Sequence, residues 1–301
     1  MNKGSLYALG AYVIWGFFPI YFKLLEQAPA LQVVCHRIVW SFILLAILLS
    51  ARKEWKTLRR AITGPKMLGL FMIASILLTV NWLTYVFGVQ AGYIVETSLG
   101  YFINPLVSVL LGVVFLRERL RPLQWAAVSL AALGVLYLTL DYGYIPWIAL
   151  VLALTFGLYG LAKKTSPLGS FYGLSLETGL MFIPCIGYLL FIQSQGTGVF
   201  GHSSALTNIL LVFTGPATAV PLLMFGAAAR KMNLTMLGLL QYIAPTLQFL
   251  IGVWVYHEPF TIANLVGFCI IWIALIVLWV EGYKQYRRIN PSLKRQNKPV
   301  Y

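Results

Sequence analysis

The stretch LGYFINPLVSVLLGVVFLRE, residues 99–118, is echoed by LLQYIAPTLQFLIGVWVYHE, residues 239–258. At a constant offset of 140, Leu99 falls on Leu239, Ile103 on Ile243, Pro105 on Pro245, Gly112 on Gly252, Val113 on Val253 and Glu118 on Glu258. Each copy is about as long as the ~20 apolar residues that cross a ~30 Å hydrocarbon core. A proline inside such a run removes a backbone hydrogen bond and frees a carbonyl where lipid offers no substitute for water. The same interruption occurring twice points to a repeated unit, with Pro105 and Pro245 as its expected helix breaks.

The rest of the chain fits a bilayer. It has 301 residues, 60% of them apolar and 10% charged, with a mean hydropathy of +0.82. Soluble domains carry about 25% charged residues, so this chain lacks the polar groups to cover a water-exposed globule. Apolar runs separated by short basic breaks predict an all-α integral membrane protein with ten spans, near 4–23, 33–51, 67–88, 93–116, 122–140, 145–163, 174–192, 207–229, 236–256 and 260–281. Gly64-Pro65, Arg121-Pro122, Ser166-Pro167 and Glu258-Pro259 punctuate them. Lys3, an apolar run and Ala28-Pro29-Ala30 mimic a cleavable leader. Lys23 and Glu26 follow that run directly, and Trp15, Phe17 and Phe18 are bulky, so it reads as a retained helix.

Charge sets the orientation. With the N-terminus in the cytoplasm, all of the 22 Lys and Arg except Lys23 and Arg37 fall on the cytoplasmic side, the positive-inside pattern. The C-terminus is then cytoplasmic as well. The net charge of +14 is a topology signal and not a nucleic-acid surface, and the basic tail suits anionic headgroups. Cys35, Cys185 and Cys269 lie in apolar runs without metal-ligand spacing and read as small packing residues.

The repeat extends to the first helix, where Ala8 meets Ala149, Gly16 meets Gly157 and Lys23 meets Lys164 at an offset of 141. The chain divides into a five-helix unit over 1–141, a second over 142–283 and a basic cytoplasmic tail over 284–301. Five is odd, so the second unit enters the membrane inverted, an arrangement common in secondary transporters.

Polar residues inside the spans supply the candidate site. The second span reaches full length only by including His36 and Arg37, and the seventh only by including Glu177. Arg37 maps onto Glu177 in the repeat. A charge at a helix centre costs about 2.5–3.5 kcal/mol on the insertion scale, so such residues face a cavity or a partner. Glu96 shares the outer third of the membrane with Arg37 and could pair with it, or could act as a proton site, a role His36 could also fill. Asn81, Trp82 and Tyr85 read as cavity lining. Asn104 and Gln241 flank the repeated prolines, and Trp15, Tyr101 and Tyr242 add aromatic walls. Glu118 and Glu258 read as loop anchors. Gly196, Gly198 and Gly201 match G-x-G-x-x-G with no strand before them, and the sequence contains neither a phosphate-binding G-x-x-x-x-G-K-[ST] nor H-E-x-x-H. No catalytic residue, metal or cofactor is expected.

The motifs AYVIWGFFPIYFKL (11–24), HRIVWS (36–41), NWLTY (81–85), ETSLGYFINPLV (96–107), LGVVFLRER (111–119) and LGLLQYIAPTLQFL (237–250) resemble the RarD family, EamA-type permeases of the drug/metabolite transporter superfamily. The resemblance runs from about residue 4 to 283. It implies ten helices in two EamA repeats, an inner-membrane location and an export role. Arg37, Glu96, Asn104 and Gln241 match its motifs. The expected function is a secondary transporter exporting a small amphipathic metabolite or drug by alternating access. Its expected partners are that substrate and the bilayer, with no nucleic acid; the oligomeric state is left open, a monomer being compatible with the sequence. A lipid scramblase and a membrane-embedded enzyme acting on a lipid-like substrate are the competing expectations.

Overall fold

In a computed structural model the described residues are 3–62, 64–117, 119–165, 168–229 and 240–289. All regular structure among them is helical: α1 (Lys3–Gly16), α2 (Phe18–Lys23), α3 (Ala30–Ala51), α4 (Trp55–Ala61), α5 (Pro65–Gln90), α6 (Ile94–Leu116), α7 (Pro122–Tyr142), α8 (Trp147–Thr165), α9 (Ser170–Ser194), α10 (Ala205–Ala229), α11 (Ile243–Leu250) and α12 (Ile262–Ile289). A π-helical turn, Ile251–Val255, extends α11.

Among the described residues eight segments are long and apolar enough to cross a membrane, counting α1 and α2 as one; Trp147–Lys163 and Ile243–Val255 are shorter apolar helices. Leu140, Ile183 and Val114 are among many large apolar side chains that face outward. In water that belt would aggregate; in lipid it is the natural exterior.

The breaks differ from expectation in an instructive way. α6 runs unbroken through Pro105, so the helix break expected there does not occur. One lost backbone bond is tolerated because α6 is clasped by α8 and α11. In the second copy the helix is interrupted at Tyr242, and Pro245 falls in the first turn of α11. There its missing N–H would have no intrahelical partner in any case. A further break, at Phe17, separates α1 from α2, where Pro19 opens the new helix.

Helices pack in related pairs: α1 with α10 and α8 with α5; α6 with α8 and α11 with α1; α3 with α9; α7 with α12. The correspondence reaches single residues. A Cβ on Gly16 would lie 2.6 Å from Leu247 of α11, and a Cβ on Gly157 would lie 3.2 Å from Val107 of α6. Cys35 on α3 and Cys185 on α9 are buried and unbridged.

Candidate functional site

Arg37 is the centre of the most unusual environment in the bundle. It sits two turns into α3 and is only 3% exposed. Its Nε donates to Thr218 Oγ1 of α10 at 2.6 Å. Its guanidinium lies 4.2 Å from the Trp82 ring centroid, 5.3 Å from Phe22 and 5.4 Å from Phe18. Aromatic faces attract a desolvated cation by about 2 kcal/mol or more. They leave the forked donors incompletely used, and Nη1 has no hydrogen-bond partner. The Tyr85 hydroxyl, buried nearby, is also unpartnered. A buried charged group left partly unsatisfied is expensive.

The cage follows from local sequence. The break at Phe17 turns α2 so that Phe18 and Phe22 reach α3, and Phe22 meets Tyr85 edge-on at 6.0 Å. On α5, Trp82 and Tyr85 are three residues apart and share a helix face. Tyr85 lies 5.7 Å from Tyr101 of α6. Asn81, on the same stretch, donates to Leu152 O and Thr155 Oγ1, both at 3.0 Å, and its Oδ1 receives the Tyr101 hydroxyl at 3.4 Å. The α3–α10 seam closes tightly over the cage. Ser41 donates to Gly215 O, and a Cβ at Gly215 would lie 2.5 Å from the Trp40 backbone.

Arg37, Trp82, Tyr85, Tyr101 and Asn81 therefore converge, while the other candidates are distributed elsewhere. Among the described residues Arg37 and Glu96 form no ion pair. Glu96 instead accepts the Ile148 N–H at 3.0 Å, at the start of α8. His36 accepts the Trp40 Nε1–H at 3.3 Å and lies against Phe200. Asn104 is buried near Gly157 and accepts from Ser108 Oγ at 3.2 Å. Trp15 packs on Tyr12 and Phe225, and its carbonyl receives Gln248 Nε2 at 2.9 Å. Tyr242 stacks on Phe102 at 6.4 Å, and Gln241 beside it is half-buried. Glu177 is paired with Lys163 of α8 at 2.7 Å.

Glu258 anchors the loop between the π-helical turn and α12. Its two oxygens accept the Ile94 and Val95 N–H groups at 2.6 and 2.7 Å, where α6 begins and its dipole favours an anion. Burial pushes its carboxyl above the usual range, against the pull of those two donors. Glu118 lies outside the described residues. Among the described residues no cluster of His, Cys, Asp or Glu could hold a metal ion.

Sequence reasoning missed Thr218, Phe18 and Phe22 around Arg37, and Lys163 and Tyr159 around Glu177. Pro19, just after Gly16-Phe17, was the available signal for the helix break that places the two phenylalanines.

Comparisons with known proteins agree with the architecture. The EamA-like transporter family matches residues 2–140. An uncharacterised transporter of Bacillus subtilis, YojE, is 48% identical, covering 97% of this chain and 98% of its own. The RarD protein of Streptomyces exfoliatus is 42% identical over 97% and 93% of the two chains. The RarD protein of Escherichia coli is 40% identical over 96% and 98%. One crystal structure superposes with a TM-score of 0.59 at 17% identity, covering 95% of this chain and 99% of its own, which speaks to the fold alone.

Proposed function

Because the chain belongs to the RarD group of EamA-like transporters, we propose that this multi-pass membrane transporter exports a small amphipathic anion recognised at the Arg37 cage. It is a transporter and not an enzyme. The observation that carries the substrate class is the unpartnered Nη1 of a buried arginine ringed by Phe18, Phe22 and Trp82. A carboxylate satisfies the free donor, and the rings take a planar apolar body.

The transport cycle proposed is alternating access between two inverted five-helix units, over 1–141 and 142–283. Counting the two shorter apolar helices with the eight longer ones gives ten crossings, with both termini cytoplasmic in the inner membrane. The exchange of α1–α10 for α8–α5 and the Gly16–Leu247 and Gly157–Val107 contacts support that reading. The two units are not packed alike. α3 and α10 meet at Gly215, without a side chain between them. Ser75 holds the related position on α5, beside a cavity of about 10 Å³ shared with Glu177. The Arg37 side is thus sealed, and an occupant reaches Nη1 when α3 and α10 part.

The test is thermal stability of the purified protein in detergent with aromatic carboxylates, each beside its neutral amide. A ligand binding only the folded state adds about 2.7 kcal/mol at a hundredfold excess over Kd. The acids should stabilise the wild type more than the amides do, and Arg37→Met should abolish that difference. Equal stabilisation by acid and amide in both proteins would remove Arg37 from the binding site.

A further inference from the structure

Glu177 is as deeply buried as Arg37 but fully engaged. Its side chain is 1% exposed, and Oε1 accepts from Lys163 Nζ at 2.7 Å. Oε2 accepts from the Tyr159 hydroxyl at 3.0 Å. The two sides of this group differ. Lys163, whose side chain is 24% exposed, gives a way to water at the end of α8. On the other side Glu177 borders the cavity of about 10 Å³, together with Ser75, Thr79, Thr178 and Trp82. That is close to the room one water needs. The three hydroxyls donate to Phe71 O, Ser75 O and Leu174 O of their own helices, so their oxygens remain able to accept from a water. The far wall, Trp82, is the ring beneath the Arg37 guanidinium.

We propose that Glu177 is the proton-exchange site of the transport cycle, with Lys163 as the cation that holds it ionised in the closed arrangement. This rests on the Arg37 reading above. When α8 and α9 part, the carboxylate loses Lys163 and takes one proton from water on that side, and Lys163 keeps its own. When the helices close again Lys163 returns, and the proton passes to a water in the hydroxyl-lined cavity, which carries it away on the Trp82 side once α3 and α10 part and admit solvent there. One proton is bound and one released per cycle, and no bond other than O–H is made or broken.

Among the described residues, the titratable groups facing Glu177 are few. α8 presents Lys163 and Tyr159, α3 presents Arg37 beyond Trp82, α5 presents only hydroxyls, and α10 contains no acid or base. The other candidate proton sites are held differently: Glu96 by a helix N-terminus and His36 by Trp40.

The experiment is pH-difference infrared spectroscopy of the full chain in lipid vesicles, following the C=O stretch of a protonated carboxyl. The wild type should show a band on acidification that is lost in Glu177→Gln. In Lys163→Met the band should persist to higher pH by about 1–3 units, since an opposite charge of that proximity has been removed. A full band in Glu177→Gln, or a band lost in Glu96→Gln or Glu258→Gln in its place, overturns the proposal. If Glu177→Gln does not fold, an unmoved midpoint in both Lys163→Met and Tyr159→Phe overturns it instead. The wild type, followed in both assays, separates the two readings. An intact band with no anion response in the wild type sinks only the Arg37 site, and an intact anion response with no Glu177 band sinks only the proton site.

Discussion

Arg37 on α3 and Glu177 on α9 occupy related positions, 140 residues apart, and are equally hidden from solvent. Their surroundings are opposite. Arg37 faces three aromatic rings and one hydroxyl, with a donor left over. Glu177 has a cation on one oxygen and a phenol on the other. The first has spare capacity for a ligand's anion, and the second has none until Lys163 moves. On the readings proposed above, the two related positions divide the labour: one buried charge serves recognition, the other a closed pair that can be opened.

The largest effect expected from breaking this contrast is at the pair. Lys163→Met strands a carboxylate that is 1% exposed with only Tyr159 as donor, and should cost about 3–5 kcal/mol of stability, less whatever protonation recovers. Glu177→Gln should cost less, because Lys163 can extend toward water. The double variant Glu177→Leu/Lys163→Met should recover most of the loss. Chemical denaturation in detergent measures all three. If the double variant is as weak as the worse single one, the pair is not the element that couples them.

The second effect concerns the seams. Gly215→Val places a side chain where a Cβ already lies 2.5 Å from the Trp40 backbone. It should destabilise by about 1–3 kcal/mol and force α3 from α10. At the related position, Ser75→Gly should cost about 1 kcal/mol at most, the ordinary helical glycine cost. Protection of Arg37 from an arginine-directed dicarbonyl reagent separates the two: Gly215→Val should lose it and Ser75→Gly should keep it. Equal protection would mean that the α3–α10 seam is not what seals the cage.

Much of the fold was legible because it depends on one-dimensional properties. Apolar length and proline punctuation located the long helices, and α8, read as 145–163, begins at Trp147. Position along the helix was legible as well: Arg37 and Glu177 lie within α3 and α9, about two turns from their starts. What sequence spacing does not encode is azimuth. Arg37 and Glu96 could share a depth and still face different neighbours, Thr218 in one case and the start of α8 in the other. Pro105 illustrates the same limit. The missing N–H is local, but whether the helix breaks depends on the helices that clasp it, and α6 stays whole. The Lys163–Glu177 pair had a readable cue, the short connection from α8 to α9 that brings the end of one helix beside the first turns of the next.

A smaller effect on stability tests the recognition side. Arg37→Met removes the contact to Thr218 and the attraction of three rings. It also removes a buried charge with an unsatisfied nitrogen, and replacing buried charge by apolar volume is often neutral or stabilising. The variant should be within about 1 kcal/mol of the wild type, or more stable, while losing its response to aromatic acids. A loss near that of Lys163→Met would place Arg37 among the structural charges and erase the contrast with Glu177.

The smallest effect lies at the loop, where Glu258 ties the start of α6 to the turn before α12. Burial raises its carboxyl in the folded protein above its unfolded value. The folded state therefore takes up the proton first as pH falls. The contribution of Glu258 to stability is fully present below the unfolded value and is lost as pH rises through the raised one. Subtracting the pH–stability curve of Glu258→Gln from that of the wild type should isolate a step that runs upward from the ordinary carboxylate range, with the wild type favoured on its acid side. A step of the opposite sign would mean that the two backbone donors outweigh burial, making this carboxylate an ionised clamp on α6.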